Sequence, residues 1–166
     1  MKRLILLFAL AGTAALVSAG AAIGHTAHAA SAAVVVKTRQ TKYGTILVNG
    51  SGRTLYLDAS DKPPHFACTG GCLQAWPALK ATGPLKAQGS AKAADLGSTK
   101  DGSFKIVTYK GHPLYTFASD SGSSITGEAT NGFYVVSAAS GSKVTHATSV
   151  TTTTTSTSSS GGGYGY

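Results

Sequence analysis

One ten-residue stretch occurs twice in the chain: GRTLYLDASD at residues 52–61 and GHPLYTFASD at residues 111–120. The copies are 59 positions apart and share six of their ten residues. An extended apolar run precedes each copy, and an aromatic step follows each, at Trp76 in the first and at Phe133-Tyr134 in the second. Such self-similarity indicates a repeated supersecondary unit, and two copies favour one pseudo-symmetric domain over an open solenoid.

Each copy predicts the return strand of a β-hairpin. Asn49–Gly52 forms the first turn, because Asn-Gly adopts positive φ at little cost, and Lys110-Gly111 forms the second. Side chains alternate along a strand, so Tyr56 lies on the face opposite Leu55 and Leu57. We therefore predict an all-β fold: one small domain whose two hairpin repeats pack as a sandwich or around a barrel-like core.

Composition divides the chain of 166 residues into four segments. We predict a signal peptide at 1–29, a small polar leader at 30–42, the two-repeat β domain at 43–138 and a Ser/Thr/Gly-rich tail at 139–166. Inside the domain, repeat one covers 43–79, an Ala/Gly/Lys connector 80–97 and repeat two 98–138. The tail has 12 Ser or Thr in the 13 residues 148–160. It is predicted to be disordered, since it cannot bury enough apolar surface to offset its ordering entropy.

The N-terminus has the layout of a secretory signal peptide. Met1-Lys2-Arg3 is basic, Leu4–Val17 is apolar, and Ala27-His28-Ala29 provides small residues for cleavage after Ala29. Cleavage after Ala32 is an alternative, because Ala30 and Ala32 are also small. A retained signal anchor is another, because Leu4–Ile23 is 20 residues without a charge and reaches spanning length. After cleavage we expect no stable membrane span. The protein is therefore predicted to be secreted or associated with a bacterial cell envelope.

Basic residues exceed acidic ones along the whole chain. The formal net charge is +8, and without Lys2 and Arg3 it is +6. The lysines are spread from Lys37 to Lys143 instead of forming the dense Arg-rich or aromatic-interleaved stripe that nucleic-acid binding favours. Diffuse positive charge outside a cell suits anionic envelope polymers or lipid headgroups, with solubility as the simpler interpretation. The expected partners are anionic envelope polymers or an envelope protein.

The repeated residues resemble a bacterial family of secreted repeats and predicted lipoproteins, named for the motif Yx(FWY)xxD. Tyr115, Phe117 and Asp120 match the motif in full, whereas Tyr56 and Asp61 match with Asp58 at the aromatic position. The resemblance covers about residues 43–138 and includes the Cys68, Cys72 and Trp76-Pro77 pattern. It implies an exported protein without an established activity. The missing lipid-anchor cysteine implies a released or wall-held form.

The two cysteines, Cys68 and Cys72, enclose a short loop with two glycines. An oxidising compartment favours a disulfide between them. The alternative is a copper or zinc site that uses both thiolates with His65 and His112, because sulfur and imidazole suit these metals. A C-type haem attachment is excluded, since that motif is C-x-x-C-H.

The remaining motif residues allow a structural or a chemical interpretation. The aromatic side chains could form a ligand platform, but burial in the core is the commoner use. Asp61 and Asp120 could be an acid–base pair of a hydrolase or a Ca²⁺ site, but their position at strand ends favours capping of the following turns.

We therefore expect a non-catalytic, exported envelope module with a binding or structural role, with no catalytic residues and no bound cofactor. A metal- or haem-handling redox protein is the alternative.

Overall fold

The computed structural model describes residues 31–144. It consists mostly of strands, with almost no helix. In chain order the elements are β1 (Val34–Thr41), β2 (Gly44–Asn49), β3 (Tyr56–Asp58), α1 (Cys72–Ala75), β4 (Leu85–Ala87), a 3-10 turn (Ala93–Asp95), β5 (Leu96–Asp101), β6 (Phe104–Tyr109), β7 (His112–Pro113) and β8 (Phe133–Val135). The predicted signal peptide at 1–29 lies outside the described residues, as does the tail from residue 145 onward.

Repeat one begins a whole strand earlier than predicted, whereas repeat two begins only two residues earlier. β1 lies within the segment assigned to the leader and pairs antiparallel with β2, from Val36 opposite Asn49 to Thr41 opposite Gly44. β5 begins within the assigned connector and pairs with β6 in the same way. β1 was not predicted because three valines are followed by five polar residues without alternation, and the start of β5 was not predicted because Leu96 is its only large apolar residue.

The predicted hairpins are also present. Their return strands bind the edges of β2 and β6 that β1 and β5 leave free. In the first, the Leu55 N–H donates to the Leu47 carbonyl at 3.0 Å, and Gly52 closes the turn with φ of +88°. In the second, the Leu114 N–H donates to the Val107 carbonyl at 3.0 Å. Each repeat is therefore a three-stranded meander whose return strand carries the family motif.

The two repeats exchange their last strands. β8 of repeat two pairs antiparallel with β3 of repeat one, with Leu57 opposite Tyr134. Conversely, residues 77–79 of repeat one bind the return strand of repeat two, where Leu79 N–H donates to the Leu114 carbonyl at 2.8 Å. Neither repeat therefore completes its own hydrogen bonding, and the two form one unit.

The strands form three small sheets, ordered β2-β1-β4, β3-β8 and β5-β6-β7. No sheet in residues 31–144 closes on itself, so the barrel-like alternative is not formed. The alternating return strands separate two cores: an aliphatic one around Leu55, Leu57 and Leu114, and an aromatic one around Tyr56 and Tyr115. Residues 142–144, assigned to the tail, fold back onto β8, where Val144 N–H donates to the Val135 carbonyl at 3.0 Å.

Candidate functional site

The two motif tyrosines meet at the pseudo-two-fold axis. The Tyr56 N–H donates to the Tyr115 carbonyl and the Tyr115 N–H donates to the Tyr56 carbonyl, both at 2.9 Å. Both side chains are fully buried in the aromatic core. The motif of each repeat thus lies against the motif of the other, although 59 residues separate them in the chain.

The motif side chains are hydrogen-bonded crosswise between the repeats. The Tyr56 hydroxyl donates to Asp120 Oδ2 at 2.7 Å, and the Tyr115 hydroxyl donates to Asp61 Oδ2 at 2.7 Å. Each aspartate also accepts a backbone N–H from the loop that follows it. Asp61 accepts from Ala67 at 2.8 Å, and Asp120 accepts from Thr126 at 2.9 Å. The carboxylates therefore bridge a loop of their own repeat to the tyrosine of the other.

Burial keeps these phenols protonated. It raises the pKa of Tyr56 and of Tyr115 far above the ordinary tyrosine value, and the hydrogen bond to the partner aspartate raises each pKa further. Burial also raises the pKa of Asp61, against the lowering effect of the hydrogen bonds from Ala67 and Tyr115. A phenol in this state is a hydrogen-bond donor and not a proton-transfer group near neutral pH.

The aromatic motif residues surround Trp76, which is 1% exposed. The Trp76 ring stacks on Phe117 with centroids 4.4 Å apart, and Tyr56 meets it edge-on at 5.4 Å. Asp58 occupies the position equivalent to Phe117 and is also buried. Tyr56 and Trp76 are buried core residues, and the partly buried Phe117 packs against them, so these rings serve the core.

The proposed metal ligands do not form a metal site. Cys68 and Cys72 are joined by a disulfide, so their thiolates are consumed. The His65 side chain is exposed, and the backbone N–H of His65 donates to the Lys62 carbonyl at 2.8 Å. His112 is the first residue of β7. Residues 31–144 contain no group of three or more His, Cys, Asp or Glu side chains arranged to hold a metal ion. The redox alternative is therefore not supported.

A family model described as a secreted repeat of unknown function matches residues 37–80 and 96–136, just over half of the chain. The chain belongs to this family of secreted repeats. Its two matches coincide with the two meanders of the fold, including most of β1 and all of β5. No curated protein and no solved structure matches the chain. Among the helices of residues 31–144, none is long and apolar enough to cross a membrane.

In this secreted-repeat domain the two signs of charge are segregated. None of the six carboxylates is exposed, whereas all nine exposed charged residues of the described part are lysines. These lysines are Lys42, Lys62, Lys80, Lys86, Lys92, Lys100, Lys105, Lys110 and Lys143. Only Lys110 of the described residues forms an ion pair, with Asp95 at 3.8 Å. The surface of the secreted-repeat domain is therefore basic to a degree that the net charge alone does not convey.

Two arginines that were not among the predicted site residues connect the repeats through hydrogen bonds. Arg39 on β1 donates to the Gly52 carbonyl at 2.7 Å and to the Ser123 carbonyl at 3.0 Å. The Arg53 guanidinium donates to the Phe117 carbonyl. The sequence does set these two residues apart, since they are the only arginines after residue 3. Arginine is the cation best suited to several directed hydrogen bonds, so a structural role could have been predicted from their rarity.

Proposed function

We propose that this secreted-repeat protein is a non-catalytic module of the bacterial cell envelope that binds anionic envelope polymers. The observation that carries the proposal is the exclusive exposure of lysine among the charged residues. Among residues 31–144 only Lys110 has a carboxylate partner, and four of the six carboxylates accept hydrogen bonds within the domain.

The inward carboxylates have structural tasks. Asp61 and Asp120 hold the crossed tyrosines, and the Val135 N–H donates to Glu128 at 2.7 Å. The Ser60 N–H donates to Asp58 at 2.8 Å. Apart from Asp95, no carboxylate of residues 31–144 lies within 4.0 Å of a lysine ammonium. The same tasks support a non-catalytic role, because the motif aspartates and tyrosines are engaged with one another.

Two of the exposed lysines are close enough together for one anion to bind both of them. Lys100 on β5 and Lys105 on β6 are directly opposite each other in the hairpin. Cross-strand partners have Cβ atoms about 5 Å apart, and like charges there repel. A phosphate or carboxylate that binds both ammonium groups relieves this repulsion. Lysine suits a polymer of repeated anions, because it is a point charge on a flexible stem and imposes no single geometry.

The test is binding of the secreted chain to a polyglycerol-phosphate polymer, measured by sedimentation at low and high salt. We expect binding at low salt that is lost at high salt. Replacement of Lys100 and Lys105 by Gln should weaken it several-fold. The matched control is replacement of the exposed Ser98 and Ser103 of the same hairpin by Gln, which should not. Equal binding to a neutral glucan, or binding insensitive to salt, would contradict the proposal.

A further inference from the structure

A pocket of about 210 Å³ lies where the return strand of repeat one meets β7 and the turn after β8. It is lined by Leu57, Asp58, Asp61, His112, Ser142 and Lys143. Its volume corresponds to about seven water molecules. The pocket is separate from the Lys100–Lys105 hairpin face, and its lining holds two carboxylates beside His112 and Lys143.

The acidic groups of the pocket lack a cationic partner among the described residues. Asp58 is 7% exposed, and its hydrogen bond from the Ser60 N–H reaches only Oδ1. Neither Asp58 nor Asp61 has a cationic nitrogen of residues 31–144 within 4.0 Å. The Lys143 ammonium lies over the Tyr134 ring, 4.7 Å from its centroid. A buried carboxylate without a cation is unfavourable, so the pocket is suited to a positively charged guest.

The corresponding place in the other half of the molecule already contains a cation. The pseudo-two-fold axis relates Asp58 to Phe117 and His112 to Arg53, both by the 59-residue offset. There the Arg53 guanidinium extends across the strand end to the Phe117 carbonyl. On the pocket side the shorter imidazole of His112 leaves the space open, and a carboxylate replaces the aromatic ring. The two halves thus differ by the loss of an internal cation and the gain of an acid at one place.

We propose that this pocket binds the primary ammonium group of a small molecule. An ammonium ion has three N–H donors, and the pocket is lined by Asp58, whose Oδ2 accepts no hydrogen bond from residues 31–144, and by the half-buried Asp61. Hydrogen bonds between charged groups are the strong ones, which favours an amine over an isosteric alcohol. This proposal does not depend on polymer binding by the exposed lysines, because it concerns a cation bound by the carboxylates of the pocket.

The pocket can be tested by nuclear magnetic resonance of the full secreted chain with 2-aminoethanol as the probe. The amides of Ser60 and Ala67 report directly, because they donate to Asp58 and Asp61. The amides of Thr126 and Val135 are the internal reference, because they donate to Asp120 and Glu128. At constant pH we expect saturable shifts of the first pair only. Ethylene glycol, which replaces the amine by a hydroxyl, should give none.

Two variants separate charge from space. D58N keeps the shape and should weaken binding at least tenfold, since it removes the buried charge. H112R should abolish binding, because its guanidinium would fill the pocket as Arg53 fills the related place. E128Q should bind like the original protein, and unchanged reference amides establish that each variant is folded. Equal shifts with ethylene glycol, undiminished binding by D58N, or no saturable shift at millimolar amine would overturn the proposal.

Discussion

The indole of Trp76 lies flat on the ring of Phe133, with centroids 3.8 Å apart and planes inclined by 4°. The two residues hold equivalent positions in the repeats. Ala118 N–H donates to the Ala75 carbonyl just before Trp76, and Ala59 N–H donates to the Gly132 carbonyl just before Phe133. The stack therefore sits on the pseudo-two-fold axis and forms only when both repeats are present. It makes the aromatic core an interface between the repeats.

The crossed tyrosine–aspartate hydrogen bonds should be energetically coupled. We expect Y56F and D120A each to lower the free energy of unfolding, and the double variant to lose less than their sum by about 1–3 kcal/mol, because Asp120 is buried and hydrogen-bonded to Tyr56. Urea denaturation of the four proteins measures this coupling. Strict additivity would show that the hydroxyl and the carboxylate do not interact. Y134F is the control, since that hydroxyl is outside the aromatic core.

The second crossed pair should couple less strongly. Asp61 is only half-buried, whereas Asp120 is 6% exposed. Since solvent weakens a hydrogen bond between polar groups, the cycle of Y115F and D61A should give a smaller coupling energy than the cycle of Y56F and D120A. The same denaturation series compares them. A larger value for the Tyr115 pair would reverse this ranking.

Packing around Trp76 leaves no room at Gly127. A Cβ added there would lie 2.7 Å from Trp76 Cη2 and 3.1 Å from the Phe117 Cβ. Because Trp76 is held between two stacked rings, we expect G127A to destabilise the domain by about 1–3 kcal/mol. G71A is the matched control: nothing lies within 4 Å of its Cβ, and its φ of −62° suits alanine. The melting temperature, followed by tryptophan fluorescence, should therefore fall for G127A and should stay the same or rise for G71A.

The disulfide should stabilise the segment that positions Trp76. The Cys68–Cys72 bridge precedes Trp76 directly, and the Trp76 N–H donates to the Cys72 carbonyl at 2.8 Å. On chain-entropy grounds a loop of this size contributes about 2 kcal/mol. The intact non-reduced mass should be two hydrogens lighter than the thiol form. Reduction should raise amide exchange at residues 69–76 more than in β5–β6. Labelling of free thiols at both positions in the folded exported protein would contradict the bridge.

Glu128 should make stability rise toward mildly acidic pH. Burial raises its pKa above the usual 4.5, only partly offset by the hydrogen bond from the Val135 N–H. The folded state thus holds this proton more tightly than the unfolded state. Its contribution is fully present below the ordinary pKa and is lost as pH rises through the folded pKa. The stability of the original protein relative to E128Q should therefore be greater near pH 4 than near pH 7. Urea titrations at both values measure it, and a constant or opposite difference would refute this role.

Local patterns were sufficient for the hairpins and the family. The Asn49–Gly52 turn, the alternation around Tyr56 and the repeat offset predicted strands that the structure contains, and the family model confirms two secreted repeats. The cysteine spacing and the export layout predicted the disulfide that the structure contains. These features depend on neighbouring residues, whose backbone preferences and side-chain alternation act over a few positions.

Contacts between distant segments could not be derived in this way. The turn-capping interpretation placed Asp61 and Asp120 at strand ends, but nothing near either residue indicates that its second partner is the tyrosine of the other repeat. The sequence shows that Asp58 replaces an aromatic residue of the motif. It does not show the pocket beside Asp58, which exists because His112 occupies the position that Arg53 occupies in the other repeat. Likewise, the sequence shows six acids but not that every one of them is at least partly buried.

The sequence by itself determined the repeat, the strand periodicity, the turns and the excess of lysine, because each is a property of residues close together in the chain. Only the tertiary structure decided the exchange of last strands, the crossed tyrosine–aspartate pairs and the Trp76–Phe133 stack. Each of these joins residues that are about 35 to 80 positions apart in the chain. Their partners are selected by which backbone groups remain unpaired and which rings remain unburied once the two meanders meet, and that selection exists only in three dimensions.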